Sequence, residues 1–104
     1  MQSVSRAVRD LGSRTAVADF LGLPVATVEF WIAGAAVPSA AQEWRLAQLH
    51  AVMERLRTVP PGRLPPGWLR RPCPGLDGAL PEDVVAVDGA SRVLEALERE
   101  LAGG

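Results

Sequence analysis

RTAVADFLGLPVATVEFWIAG, residues 14–34, is the stretch from which the fold can be read. Val17, Ala18 and Leu21 recur at helical spacing, Gly22 and Leu23 follow, and Val28, Trp31 and Ile32 form a second apolar set at spacings of three and four. Two short amphipathic helices joined by a tight turn bury such sets against each other. Gly22 suits the left-handed residue that ends one helix, and Pro24 suits the first turn of the next, where a missing N–H costs little. Ala18 is small enough to let the two helices approach closely.

Working outward, helix signals dominate and strand signals are nearly absent. A first helix is predicted over residues 3–11, with Val4, Ala7, Val8 and Leu11 inward and Gly12 ending it. Residues 34–38 read as a turn, after which Ser39 and Gln42 have the spacing of a capping box. The long helix that starts there is expected to run to about Val59, where Pro60-Pro61-Gly62 stops it. Leu46, Leu49, Val52, Met53, Leu56 and Val59 form one stripe on it, and Glu43, His50, Glu54 and Arg57 lie on another face. His50 stands four residues before Glu54, the spacing of a solvated helix pair.

From Pro60 to Pro81 proline and glycine recur so densely that only a short helix around residues 66–70 fits, followed by a packed irregular loop. Trp68, Leu69, Leu76 and Leu80 are its expected anchors. Pro81-Glu82-Asp83 has a helix-start composition, with proline in the first turn and acids near the positive end of the dipole. That helix is expected to reach about Val87, and Gly89 breaks the chain. A last helix is predicted over residues 91–101, with Val93, Leu94, Leu97 and Leu101 inward and Glu95 paired with Arg99. The fold class is all-α, divided near residue 59 into an N-terminal part, 1–59, and a C-terminal part, 60–104.

Composition narrows the function. A chain of 104 residues, 48% hydrophobic, can bury one modest core or two small helical subdomains that lean on each other, and its net charge of -1 gives no global attraction to polyanions. All eleven cations are arginine. A single cysteine, Cys73, allows neither an internal disulfide nor a multi-cysteine zinc site, and is expected to be a small buried or half-buried loop residue. The N-terminus lacks the apolar run of a signal peptide and no segment has the length of a membrane span, so a reducing cytoplasm is the expected compartment. No phosphate-cradling loop, carboxylate pair, nucleophile with a nearby base or metal-ligand spacing is present. A binder is expected, without catalytic residues, metal or cofactor.

The set Val17, Ala18, Gly22, Leu23, Val28 and Trp31 resembles the helix-turn-helix of phage-repressor-like regulators of the Xre type. In that motif the N-terminal, outward residues of the second helix touch base edges. Here they are Pro24, Val25, Ala26, Thr27, Glu29 and Phe30, which include none of the Arg, Lys, Asn or Gln side chains that discriminate bases well. Arg6, Arg9, Arg14 and Thr27 are the candidates for a weak, backbone-directed grip on DNA.

The C-terminal half carries a more specific likeness. The order Trp68-Leu69-Arg70, Pro72, Pro74, Leu76, Gly78, Pro81, Asp83-Val84-Val85, Gly89 and Arg92-Val93-Leu94 resembles the toxin-binding domain of Xre/MbcA/ParS-type antitoxins. Cys73 stands where that family usually has asparagine. The resemblance implies an Xre-like helix-turn-helix bundle followed by a small helical toxin-binding domain. It further implies a partner toxin with a RES domain that consumes NAD, whose active-site cleft the C-terminal domain covers, and a homodimer that represses its own operon. The toxin-binding candidates are Trp68, Arg70, Arg71, Cys73, Pro74, Leu76 and Arg92, together with Leu101, Gly103 and Gly104 of a small terminal segment able to enter a cleft. Arginine's planar fork suits the three cations to an interface. The rival reading is a stand-alone DNA-binding regulator whose C-terminal half only dimerises.

Overall fold

Each helix of the N-terminal half begins or ends on a residue suited to that position. A computed structural model describes residues 2–103, within which every regular element is helical. Helix α1, Gln2–Leu11, is closed by Gly12 at φ 96°. Helix α2, Arg14–Leu21, starts on Ser13, whose hydroxyl accepts from the Ala16 N–H at 3.0 Å. This cap satisfies an N–H that has no partner within the helix. Gly22, at φ 70°, ends α2: its N–H reaches the Asp19 carbonyl, and the Leu23 N–H reaches that of Ala18. This crossed pair of bonds is a Schellman motif, which a left-handed residue makes possible. Helix α3, Val25–Ile32, follows after three residues, and the chain turns through 117° between α2 and α3. A short glycine turn and a bend of that size are the geometry of a helix-turn-helix.

Helix α4, Ala40–Arg57, is the spine. Its capping box is formed, the Ser39 hydroxyl accepting from the Gln42 N–H at 3.2 Å and the Gln42 side-chain oxygen Oε1 from the Ser39 N–H at 2.7 Å. At 18 residues it is about 27 Å long. It ends two residues before the expected stop, because the Thr58 and Val59 N–H groups turn back to Arg55 and Leu56. Leu46, Leu49 and Val52 are buried, as the stripe required. α1 packs on one side of α4. Helix α5, Pro81–Asp88, and helix α6, Ala90–Gly103, pack on others. One continuous core results, running from Val4, Val17 and Val28 through Leu49 and Val52 to Leu76, Val85, Val93 and Leu97.

Several expectations are corrected. Ile32, assigned to the inner set of α3, is 37% exposed, because Val28 and Trp31 already occupy the buried side and Ile32 falls on the flank at the helix end. Phe20 is buried although it lies off the α2 stripe: this helix is covered by α1, α3 and α5 and buries most of its circumference. Glu43 and His50 are half-buried rather than solvated, and with the exposed Glu54 and Arg57 they run along the seam with α1. There the Ser3 hydroxyl donates to Glu43 at 2.9 Å, Arg6 donates to His50 Nε2 at 3.0 Å, and Arg57 pairs with Asp10. The His50–Glu54 pair is present at 3.6 Å but is one edge of this cluster. The last helix begins at Ala90, whose N–H donates to the Gln48 side chain of α4, and continues to Gly103. No single helix among the described residues is long and apolar enough to cross a membrane.

Candidate functional site

The densest concentration of sequence-selected residues lies between Trp68 and Arg92. The short helix expected near residues 66–70 is a single 3₁₀ turn, Trp68–Arg70, entered through Gly67 at φ 70°. Its indole is buried, 6% exposed, and fixes the turn to the core beside α5. A second 3₁₀ turn, Pro74–Leu76, lies in the stretch expected to be irregular. Hydrogen bonds close it: the Cys73 N–H donates to the Ala79 carbonyl at 3.0 Å, and the Cys73 carbonyl accepts from Leu76 and Gly78, both at 2.9 Å. Asp77 sits at its tip in the left-handed region, φ 57°, with 98% of its side chain exposed. Leu76 is inserted into the core, and Gly75 passes close to Ala96 of α6, where a Cβ would lie 3.4 Å from the alanine methyl.

This scaffold divides the candidates. Trp68, Cys73 and Leu76 are buried and shape the segment from beneath, while Arg70, Arg71, Pro74 and Arg92 are exposed. Two of the arginines are held by acids. Arg70 Nε donates to Glu82 Oε2 at 3.0 Å, and Arg92 lies 3.0 Å from Asp88 and 3.8 Å from Asp77. Glu82 stands in the first turn of α5, as its helix-start composition requires, and is in addition 8% exposed and turned to Arg70. An open groove of about 310 Å³ runs alongside, lined by Leu56, Val59, Leu64, Trp68 and Leu69 with the prolines between them.

The terminal segment continues the last helix beyond its expected end at residue 101. α6 holds helical geometry through Gly103, Leu101 is half-buried against the core, and its carbonyl accepts from Arg63 at 2.8 Å. One turn earlier Arg55 grips Glu98 through two bonds, Nε to Oε2 at 2.6 Å and the terminal nitrogen to Oε1 at 2.9 Å. These hydrogen bonds hold the Glu98 carboxyl below its ordinary value and the Arg55 guanidinium above its own, although both groups stand in solvent. Gly104 lies outside the described residues.

The candidates for DNA contact are partly engaged elsewhere. Arg6 is bonded to His50, and Arg14 lies 3.8 Å from Glu29 on α3; Arg9 is exposed and Thr27 half-buried. The outward side of α3 is apolar, with Phe30 57% and Val25 39% exposed. Sequence reasoning missed Asp10, whose carboxylate is 1% exposed between Arg57 and His50, because the pairing of α1 with α4 is what brings them together. Among the described residues no cluster of three or more His, Cys, Asp or Glu has the arrangement of a metal site.

Residues 66–103 match the family model of the antitoxin Xre/MbcA/ParS C-terminal toxin-binding domain. No curated protein and no solved structure matches the chain. The matched span begins two residues before the Trp68 turn and ends with α6, so it takes in both 3₁₀ turns, α5, α6 and the exposed arginines. Residues 66–103, set behind a helix-turn-helix half, are therefore similar to the C-terminal toxin-binding domain of Xre/MbcA/ParS antitoxins.

Proposed function

We propose that the toxin is a RES-domain enzyme that consumes NAD, and that this chain silences it by covering its active-site cleft with the surface built from residues 66–103. The observation that carries this reading is the coincidence of the family match with a rigid surface from which Arg70, Arg71 and Arg92 project. A surface held by the buried Trp68 and Leu76 loses little conformational freedom when it docks, so more of the contact energy is retained as affinity. In this reading the end of α6, with Leu101 and Gly103, enters the cleft as a helix terminus, and Gly104 follows it. The chain acts as a binder and contributes no catalytic group, metal or cofactor.

A toxin encoded beside this chain provides the test. Mixed in equal amounts with the antitoxin, it is expected to lose NAD consumption, and removal of residues 101–104 is expected to restore part of it. Full inhibition by the truncated chain removes the terminus from the mechanism. Undiminished NAD consumption with the intact chain removes the reading.

A second role is supported by the 117° turn between α2 and α3. We propose that a homodimer formed in the cytoplasm, with Val25 and Phe30 at its seam, binds its own promoter weakly through Arg9 and Arg14. That binding is expected to fall steeply with salt and to disappear when both arginines are replaced. Absence of promoter binding at low salt, with and without the toxin, eliminates it.

A further inference from the structure

Arg70 and Glu82 form an unequal pair. Glu82 lies in the first turn of α5 with only 8% of the residue exposed, whereas the Arg70 side chain stays 56% exposed. One hydrogen bond joins them, from Arg70 Nε to Glu82 Oε2 at 3.0 Å. An ion pair with one member so open to water adds little to stability, while withdrawing a carboxylate from water has a cost. The arrangement does, however, fix the direction of the guanidinium.

Arginine carries its donors on a planar fork, and Glu82 occupies only the Nε position. The opposite edge, formed by the two terminal nitrogens, has no protein acceptor among the described residues. That edge matches the two oxygens of a carboxylate, the pairing for which arginine is better shaped than lysine. Arg92 differs, since Asp88 and Asp77 both lie at its terminal nitrogens. Arg71, next along the chain and exposed, adds a second positive charge to the same edge of the domain.

We infer that Arg70 is the charged anchor of the toxin interface, engaging an Asp or Glu carboxylate of the toxin through its terminal nitrogens, and that Glu82 is the positioning residue that aims it. This rests on the toxin-binding reading above. Because Glu82 fixes the side chain before docking, the cost of ordering a long arginine is met in the free protein rather than at the encounter.

The test is a calorimetric titration of the adjacent toxin with the full chain and with Arg70→Lys, Glu82→Gln and Glu82→Leu, with melting temperatures measured on the same samples. Lysine keeps the charge and a bond to Glu82 but has no fork. Glutamine keeps an acceptor for Nε, while leucine leaves Arg70 unaimed. Arg70→Lys and Glu82→Leu are expected to bind about tenfold or more weakly, and Glu82→Gln within about threefold of the unaltered chain. A cycle pairing Arg70→Ala with single alanine replacements of the toxin's surface acids is expected to find one carboxylate coupled to Arg70 by about tenfold. Unchanged affinity for Arg70→Lys, losses that follow melting temperature across the set, or no coupled carboxylate overturns the inference. Failure of the unaltered chain to bind the toxin overturns the toxin-binding reading itself, which is a separate result.

Discussion

Gly89 stands at the joint of α5 and α6 with φ 90° and ψ -172°, a region closed to other residues. A Cβ there would also come within 3.0 Å of both the Gln48 side chain and the Trp44 ring. Gly89→Ala is therefore expected to lower stability by about 1–3 kcal/mol, measured by urea unfolding. Gly22→Ala meets no neighbour and bears only its left-handed backbone, so about 1–2 kcal/mol is expected there. Leu76 belongs to a different class: it is 2% exposed, and Leu76→Ala leaves a cavity costing about 2–5 kcal/mol while freeing the Cys73–Ala79 loop. Much at this scale could be read from the sequence alone. Gly22 and Gly89 are residues whose backbone freedom names their role, and the burial of Cys73 follows from its being a lone small thiol in an apolar loop. Asp10 and Glu82 could not be read that way. A buried carboxylate looks like any other acid in sequence until the helix that covers it is known.

Among the elements, α6 is secured at both ends by α4. Its first N–H is capped by Gln48, and near its end Glu98 is gripped by Arg55. Since the folded state holds the Glu98 carboxyl below its ordinary value, the bridge favours folding at pH values above the ordinary carboxylate range. That contribution is lost as pH falls through the depressed value. Glu98→Gln is accordingly expected to lower stability at neutral pH, to flatten the acid limb, and to converge with the unaltered chain at low pH, as thermal melts across pH would record. Ser39→Ala removes half of the α4 capping box and is expected to cost about 1 kcal/mol. Element positions were largely legible because caps are local: Ser39 with Gln42, Gly12, Gly22 and Pro81 each mark a boundary within a few residues. The Pro74–Leu76 turn and the two extra residues of α6 were not. The first is closed by the Cys73–Ala79 bond, and the second is tied down by Arg63, a residue 38 positions from its acceptor.

At the scale of the molecule, the helix-turn-helix half and the toxin-binding half share α4. Leu49 and Val52 of that helix belong to the one cluster that also contains Val4, Val28, Val93 and Leu97. The all-helical class followed from the sequence because period and punctuation agree along its whole length. The α1–α4 seam did not follow from it, because polar residues at helical spacing look the same whether they meet water or another helix. A Leu49→Ala change is expected to cost about 2–5 kcal/mol and to destabilise both halves together, giving one transition by circular dichroism rather than two.

The same chain supplies the optics to watch this. Trp31 is 2% exposed within the N-terminal half, Trp68 is 6% exposed beneath the toxin-binding surface, and Trp44, at 48%, lies in water over the joint at Gly89. Replacing Trp44 with phenylalanine leaves one dark, blue-emitting indole in each half. The red shift of either, isolated by a further Trp→Phe change, then reports its own half without any attached dye. Superimposable unfolding curves from the two single-tryptophan proteins would mean that the two halves lose their structure in one step.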